Sequence, residues 1–190
     1  MSSILKVDQL QDSGGNEIIT SNGSGTITVN NQTFKNGITM ADQWRLTTNT
    51  NQGVDGDISS NWERVDSDGF NYIGTGLTES SGIFSFPSTG IYLINFNGRL
   101  TVDNGDTTAN ITLQTTEDNS NYGTAANASS GNTGTSNISA TATANFIFDV
   151  TNITTHKFKF QSNSFGTATS VNGGTNDNRT HVTVIRLGDT

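Results

Sequence analysis

Apolar and polar residues alternate along the segment IYLINFNGRLTV, residues 91–102, with a period of two. Successive side chains of a β-strand project to opposite faces, so this segment predicts a strand with one buried and one solvated face. The residues predicted to face inward are Tyr92, Ile94, Phe96, Gly98, Leu100 and Val102. The predicted outward side chains are Asn95, Asn97, Arg99 and Thr101.

The same alternation recurs in TATANFIFDV, HKFKFQ, ANITLQT and HVTVIRL, and stretches rich in Gly and Asn separate these segments. No window shows a convincing 3.6-residue apolar period, so helices are not expected. The predicted inward residues are Ala142, Ala144, Phe146, Phe148, Val150, Ile111, Leu113, Phe158, Phe160, Val182 and Val184. Alternating strands spaced by turns predict an all-β fold of antiparallel sheets, packed as a sandwich or barrel.

Residues 1–40 differ from the rest, because their apolar stretches are short and are separated by DSGGN and SNGSG. We predict an extended, β-rich N-terminal arm over 1–40 and a compact head over 41–190. An extended segment recovers its ordering entropy only on another surface, which favours a docking arm over a loosely ordered leader. The candidate docking residues are Ile4, Leu5, Val7, Leu10, Ile18 and Ile19.

Composition excludes several classes of function. The formal net charge is -8 with nine Lys and Arg residues, which disfavours nucleic-acid binding. No apolar run follows Met1 as a signal peptide would require, and none is long enough to cross a bilayer, so we expect no membrane insertion. Cysteine is absent, so disulfides cannot stabilise the fold. Oligomerisation is therefore the expected source of additional stability.

Residues suited to catalysis are few. We expect His156 and His181 to be surface residues of strands, and no G-x-S-x-G nucleophile motif occurs. The segment GTGLTE begins like a dinucleotide fingerprint, but Glu79 stands where the third glycine belongs. We therefore predict no enzyme and no cofactor.

Acidic pairs raise one metal hypothesis. Asp66 and Asp68 lie in DSDGF, and Asp103 and Asp106 lie in DNGD. Short Asp-rich loops can offer oxygens to calcium, although the spacing fails the EF-hand pattern. Asp and Gly also build ordinary turns, and this interpretation is favoured over calcium binding.

Two further pairs admit a structural and a functional interpretation. Lys157 and Lys159 form either the solvated face of a strand or an anion site, and the solvated face is favoured. Trp44 and Trp62 either anchor a partner or sugar from the surface, or plug the end of the sandwich. The second interpretation, in which both tryptophans plug the end of the sandwich, is favoured.

The segment GIFSFPSTGIYLINF resembles the signature of the complement globular-head and tumour-necrosis-factor jelly rolls. The residues that carry the resemblance are Gly82, Phe84, Pro87, Gly90, Tyr92, Ile94 and Phe96. WERVDSDGF fits the loop before the signature, and ISATATANFIFDVTNITTHKFKFQSN and THVTVIRL fit the late strands, so coverage is roughly 41–188. Phe86 stands near the family's common cysteine, and no collagen-like segment precedes the domain. The resemblance implies an antiparallel jelly-roll sandwich that assembles into a tight homotrimer.

The leader MSSILKVDQLQDSGGNEIITSNGSGTITVN resembles that of virion structural proteins from marine tailed phages, notably cyanophages. This resemblance implies location in the virion, release by lysis, and contact of the arm with other virion proteins.

The leading functional hypothesis is a non-enzymatic homotrimeric fibre knob or decoration protein. Its head would bind a host surface glycan or protein, or stabilise the particle. The alternatives are a cellular adhesin or lectin-like module and a tail polysaccharide-cleaving enzyme, which would need paired carboxylates in a groove. The predicted trimer-interface residues are Tyr92, Phe96, Phe158 and Phe160.

Overall fold

The computed structural model describes residues 7–25, 27–29 and 37–190, and every regular element in them is a β-strand. The chain divides into two compact units, Met1–Gly37 and Ile38–Thr190. No helix that could span a bilayer occurs in these described ranges.

The first unit contains a three-stranded antiparallel sheet in the order β1-β2-β3. Its strands are β1 (Gln9–Gln11), β2 (Glu17–Ser21) and β3 (Ile27–Val29). Asp12 Oδ1 accepts hydrogen bonds from the backbone N–H groups of Gly14 and Asn16, which fixes the turn between β1 and β2. The described part of the predicted arm is therefore a folded meander rather than a single extended stretch.

The second unit is a sandwich of two six-stranded sheets, and all of its strand pairings are antiparallel. Its strands are β4 (Ala41–Leu46), β5 (Gly56–Asp57), β6 (Trp62–Arg64), β7 (Thr78–Ser80), β8 (Ile83–Ser85), β9 (Gly90–Val102), β10 (Ala109–Thr116), β11 (Gly123–Ser130), β12 (Ile138–Val150), β13 (Lys157–Asn163), β14 (Ser170–Val171) and β15 (His181–Gly188). One sheet, here called the β9 sheet, has the order β12-β9-β15-β4-β6, and β14 also pairs with β9. The other, the β13 sheet, has the order β11-β10-β13-β8-β7, and β5 pairs with β13.

Aromatic side chains from both sheets fill the space between the layers. Phe96 of the β9 sheet stacks on Phe160 of the β13 sheet with ring centroids 4.1 Å apart. Phe84 stacks on Phe158 at 4.9 Å, and Trp62 meets the Phe84 ring edge-on at 5.3 Å. Such pairs add to the hydrophobic gain from burial.

The predicted inward residues lie in this core, with one difference. Phe146 is only half-buried against it, whereas the other predicted inward residues of β12 are buried. Trp62 is buried in the core and Trp44 is half-buried beside it, as the plug interpretation expects.

The turn before β9 explains why glycine precedes the long strand. Tyr92 is fully buried, and its hydroxyl donates a 2.9 Å hydrogen bond to the Ser88 carbonyl. Gly90 has a φ of +146°, and a Cβ there would lie 2.4 Å from Arg186 Nε. Arg186 in turn donates from Nε to the Thr89 carbonyl, so a larger residue would displace this contact.

A buried carboxylate fixes one edge of the β9 sheet. Asp42 is 2% exposed and accepts hydrogen bonds from Arg64 Nε at 3.1 Å, from Trp44 Nε1 at 3.0 Å and from the Leu77 amide at 2.8 Å. Arg64 also lies over the Trp44 ring at 5.0 Å. Because these three groups all donate to Asp42, the buried charge is compensated and β4 is held in place.

We predict that Phe84→Ala lowers the free energy of unfolding by about 3–5 kcal/mol, because it removes the ring that contacts Phe158 and Trp62. Val54→Ala is the control, since Val54 is 52% exposed, and should change stability by less than about 0.5 kcal/mol. Chemical denaturation at one protein concentration measures both. Equal losses would show that the aromatic cluster is not the centre of the core.

Candidate subunit interface

The outer face of the β9 sheet carries a row of apolar residues that crosses the sheet. Ile147 of β12 pairs with Leu93 of β9, Leu93 pairs with Ile185 of β15, and Ile185 pairs with Ala41 of β4. Ala41 forms an isolated bridge with Ile73 beyond the edge of β4. Paired residues on neighbouring strands project from the same face, so these five residues form one continuous strip, here called the apolar row.

The apolar row faces away from the core. Its neighbours in sequence, Tyr92 and Ile94, are fully buried between the sheets, whereas Ile147 is 59% exposed and Ile73 is 47% exposed. Leu93, Ile185 and Ala41 are half-buried. A contiguous aliphatic strip on so polar a surface is a candidate contact surface.

Polar rows lie beside the apolar row on the same face, and their members bond to one another. Gln43 Nε2 donates to the Thr183 hydroxyl at 2.7 Å. One step further along the strands, the Thr143 hydroxyl donates to Asn97 Oδ1 at 3.0 Å, and Asn97 Nδ2 donates to Asn95 Oδ1 at 2.9 Å. These bonds hold the amides in fixed orientations, which favours specific over non-specific packing.

His181 lies in the same polar part of the face, paired with Asn97 on β9 and with Arg45 on β4. Its Nδ1 lies 3.1 Å from the Asn178 carbonyl oxygen, which makes Nδ1 the donor. Burial lowers the pKa of His181, and the hydrogen bond to Asn178 offsets only part of this effect. Burial therefore favours the neutral form of this ring.

A charged cluster closes the edge of the face at β4. Arg45 is 1% exposed and donates to Glu63 at 2.6 Å, to Asp66 at 2.7 Å and to the Ser67 hydroxyl at 2.9 Å. This network uses the Asp66 carboxylate, one of the calcium candidates. Asp68 lies beside it at a φ of 57° and accepts a hydrogen bond from Ser67.

Asp103 and Asp106, the other two candidate calcium ligands, hold a loop through hydrogen bonds. Asp103 accepts from the Ala168 amide at 2.9 Å, and Asp106 accepts from the Gly166 amide at 2.8 Å and from the Thr169 hydroxyl. Among the residues described by the structure, no group of three or more His, Cys, Asp and Glu side chains is arranged to hold a metal. Calcium binding stays a hypothesis, and the structure gives these carboxylates other partners.

The four predicted interface aromatics are placed elsewhere by the structure. Tyr92, Phe96, Phe158 and Phe160 are each 0% exposed in the single chain and belong to its core. They have no side-chain surface left for a neighbouring copy. The candidate interface is therefore the opposite face of β9.

A sequence signal for the outward strip was present. Leu93 lies between two inward residues of β9, and Ile147 lies between two phenylalanines of β12. These segments are apolar at odd and even positions alike, and this double-sided pattern indicates a strand covered on both faces.

The predicted docking residues fall in the first unit. Val7 is 56% exposed, Leu10 is 51% exposed, Ile19 is 36% exposed and Ile18 is half-buried. Leu10 and Ile19 form a cross-strand pair. Ile4 and Leu5 lie outside the described residues.

The two histidines have ordinary structural partners. The prediction of a surface strand residue is wrong for His156, which is 7% exposed and lies in the turn before β13. Its Nε2 is 3.2 Å from the Thr151 hydroxyl and its Nδ1 is 3.1 Å from the Thr155 hydroxyl. The ring stacks on Phe148 at 5.5 Å.

The lysine pair on β13 is also partnered. Lys159 Nζ donates to Asp57 Oδ2 at 2.7 Å and lies 4.4 Å from the centre of the Tyr122 ring. Lys157 Nζ donates to the Ser85 hydroxyl at 2.9 Å. Burial raises the pKa of Tyr122, and the charges of Asp57 and Asp118 add to this effect. The lysines therefore serve the outer surface of the β13 sheet, and an anion would have to compete with these contacts.

Comparison with solved structures identifies the architecture. The structure of Eiger TNF from S. frugiperda matches at 14% sequence identity with a TM-score of 0.59, covering 81% of this chain and 96% of that chain. The crystal structure of murine APRIL at pH 8.5 matches at 15% identity with a TM-score of 0.55, covering 78% of this chain and 98% of that chain. The chain has a tumour-necrosis-factor-like jelly-roll fold.

At this level of identity the likeness shows the fold alone. No protein-family model matches the chain, and no curated protein sequence matches it. The predicted jelly roll is confirmed, whereas the phage resemblance of the leader stays a prediction.

We predict that acid weakens the loop held by Asp106. Burial disfavours the charged form of Asp106, but hydrogen bonds from Thr169, Gly166 and Thr108 outweigh it and lower its pKa. A lowered folded-state pKa contributes stability above the unfolded-state value near 4, and this contribution is lost as pH falls through the folded-state value. Thermal unfolding measured from pH 6 to pH 2.5 should therefore show a shallower pH dependence for Asp106→Asn than for the unmodified chain.

Glu117→Gln is the control, because Glu117 is exposed on the turn after β10. It should leave the acid dependence unchanged. An Asp106→Asn profile that overlays that of the unmodified chain would contradict this role of the carboxylate.

Proposed function

We propose that this chain is a non-catalytic jelly-roll head that forms a homotrimer through the outer face of the β9 sheet and serves as an attachment or decoration protein of a phage virion. The observation that carries the homotrimer is the apolar row. It runs in register across β12, β9, β15 and β4 and continues to Ile73. Four such strands span about 15 Å at a strand spacing of about 4.8 Å.

The face has the composition expected of a self-contact. An obligate interface resembles a core cut in two, with an apolar centre and a polar surround. Here the apolar row provides the centre, and the bonded amides and hydroxyls around Asn97 provide the polar surround. The resemblance to trimeric jelly rolls supports a threefold arrangement, in which a closed ring buries this face in every copy.

The surroundings of the histidines support a non-catalytic role. Both ring nitrogens of His156 lie beside threonine hydroxyls, and Nδ1 of His181 is bonded to a backbone carbonyl. Within the described residues, neither ring is in hydrogen-bond contact with a carboxylate that could orient it as a general base. Binding is therefore the function favoured by the described residues.

A place on a virion is favoured by the first unit and by the resemblance of the leader. This unit exposes Val7, Leu10 and Ile19, and exposed apolar side chains of this kind favour contact with a partner surface. The head would then present a polar surface, rich in Asn, Thr and Ser, to a host glycan or protein or to the particle. Such surfaces suit wet, hydrogen-bonded contacts.

We predict that Leu93→Asp converts the trimer into single chains, because it places a charge at the middle of the apolar row. Light scattering coupled to size-exclusion chromatography measures the mass of the assembly. Ile153→Asp is the matched control, since Ile153 is 41% exposed in the turn after β12 and lies outside the row. Retention of the trimer by Leu93→Asp, with circular dichroism unchanged, would contradict this interface.

We predict that deletion of residues 1–37 removes the protein from purified phage particles while the remaining jelly roll still folds as a trimer. The boundary follows the division between the two compact units. Quantitative mass spectrometry of particles from phage carrying the full or the shortened gene measures incorporation. Equal incorporation of both forms would exclude the first unit as the anchor, and absence of the full chain from particles would exclude the virion role.

A further inference from the structure

His181 lies in the middle of a chain of polar contacts that crosses the outer face of the β9 sheet. On one side, Asn97 Nδ2 of β9 lies 3.5 Å from His181 Nε2, and Asn97 Oδ1 accepts from the Thr143 hydroxyl of β12 at 3.0 Å. On the other side, His181 Nδ1 donates to the Asn178 carbonyl at 3.1 Å, and the Asn178 side chain donates to Gln43 Oε1 of β4 at 2.7 Å. One ring on β15 therefore connects side chains of four neighbouring strands.

These contacts fit the neutral ring and not the charged one. Because Nδ1 donates to the Asn178 carbonyl, the neutral ring carries its proton on Nδ1 and offers a lone pair at Nε2. Asn97 Nδ2 is a donor that lies opposite this lone pair, and it also donates to Asn95 Oδ1 at 2.9 Å. A second proton on the ring would direct an N–H group from Nε2 at another N–H group. Asn97 would then have to turn, and its bonds to Asn95 and Thr143 would be lost.

The charged side chains on the elements around the ring do not compensate an added proton. They are Arg45 on β4, Glu63 on β6, Asp66 and Asp68 in the loop after β6, Arg99 on β9, Asp149 at the other end of β12, and Asp177 and Arg179 in the turn before β15. Glu63 and Asp66 are ion-paired with Arg45. Asp177 is ion-paired with Arg179, and Asp68 is exposed and accepts from Ser67. Among the described residues, no carboxylate lies within hydrogen-bond distance of either ring nitrogen.

The ring is close enough to the apolar row to lie within the proposed subunit contact. His181 is four residues from Ile185 along β15, which is about 13 Å at about 3.3 Å per residue. A contact of about 800 Å² per partner has a radius of about 16 Å, so a contact centred on the apolar row includes His181. The ring is half-buried in the single chain, and burial already lowers its pKa there. Contact with a second copy would remove more water and disfavour the charged form further.

We propose that His181 is a proton-sensitive switch: its neutral ring orders the polar rows of the outer face, and its protonation breaks that order and releases the contact between copies. This inference rests on the proposed homotrimer. A separated copy leaves the ring more open to water, so it takes up a proton at a higher pH than an assembled copy does. Acid therefore favours separated copies, and the contact weakens as pH falls below the ordinary histidine pKa of about 6.5.

The mass of the assembly, measured by light scattering against pH and protein concentration, tests the release. Histidine is the side chain whose ordinary pKa lies between pH 7 and pH 5, and the chain has two histidines. For the unmodified chain, the concentration at which half of the trimer is dissociated should rise at least about tenfold from pH 7 to pH 5. In His181→Asn an uncharged amide can still donate to the Asn178 carbonyl, so this concentration should change by less than about twofold. His156→Gln is the matched control and should behave like the unmodified chain.

Nuclear magnetic resonance of the full, unmodified chain tests the switch separately from the assembly. The side-chain amide signals of Asn97 should shift between pH 7 and pH 5 with the same midpoint as the ring of His181. In His181→Asn the Asn97 signals should stay constant over this range. A His181 ring that titrates without any change at Asn97 overturns the switch, whatever the mass of the assembly.

The mass measurements separate the switch from the homotrimer. A trimer that stays intact at pH 5 at every concentration, or that dissociates equally in His181→Asn, overturns the release and leaves the homotrimer standing. A single-chain mass at pH 7 overturns the homotrimer and the release together.

Discussion

The alternation of side chains along β9 is the constraint on which the rest of the structure depends. Because successive residues face opposite sides, Tyr92, Ile94 and Phe96 enter the core together, and the residues between them are forced outwards. Where those outward residues are amides, the face is an ordinary solvated surface. At Leu93 the outward residue is aliphatic, and pairing with β12 and β15 places Ile147 and Ile185 beside it. The same register that builds the core therefore builds the apolar row.

Burial of polar groups follows a consistent logic across the head. Arg45 and Asp42 are buried on β4, next to the edge strand β6 of the β9 sheet, and each is surrounded by groups of complementary charge or hydrogen-bonding character. Carboxylates in the loops, such as Asp103 and Asp106, accept backbone amides and so hold long irregular segments without a disulfide. In a chain that lacks cysteine, these contacts and the aromatic core carry the stability of the single chain.

The sequence predicted the all-β class, the antiparallel sandwich and almost all inward residues, because a period of two is a local property that each strand displays by itself. It placed Tyr92, Phe96, Phe158 and Phe160 at a contact between copies, although they lie in the core of the single chain, because burial in a core and burial between copies select the same residue types. Tyr92 and Phe160 are apolar in either case, and only the pairing of strands shows that they are covered within one chain. His156 was misplaced for a related reason, since its position in a turn, beneath threonine hydroxyls, depends on contacts distant from the local pattern. The N-terminal meander depends on the turn at Asp12, and the sequence suggested only short apolar pulses there.

The central claim is that the apolar row is buried between copies of this chain. Hydroxyl-radical footprinting of the unmodified protein measures it most directly, because the rate of side-chain oxidation reports solvent access at each residue. Ile147 is 59% exposed and Ile153 is 41% exposed in the single chain. If the apolar row is buried between copies, Ile147 and Ile185 are strongly protected from oxidation while Ile153 reacts freely. Oxidation of Ile147 at least as fast as that of Ile153 would contradict it.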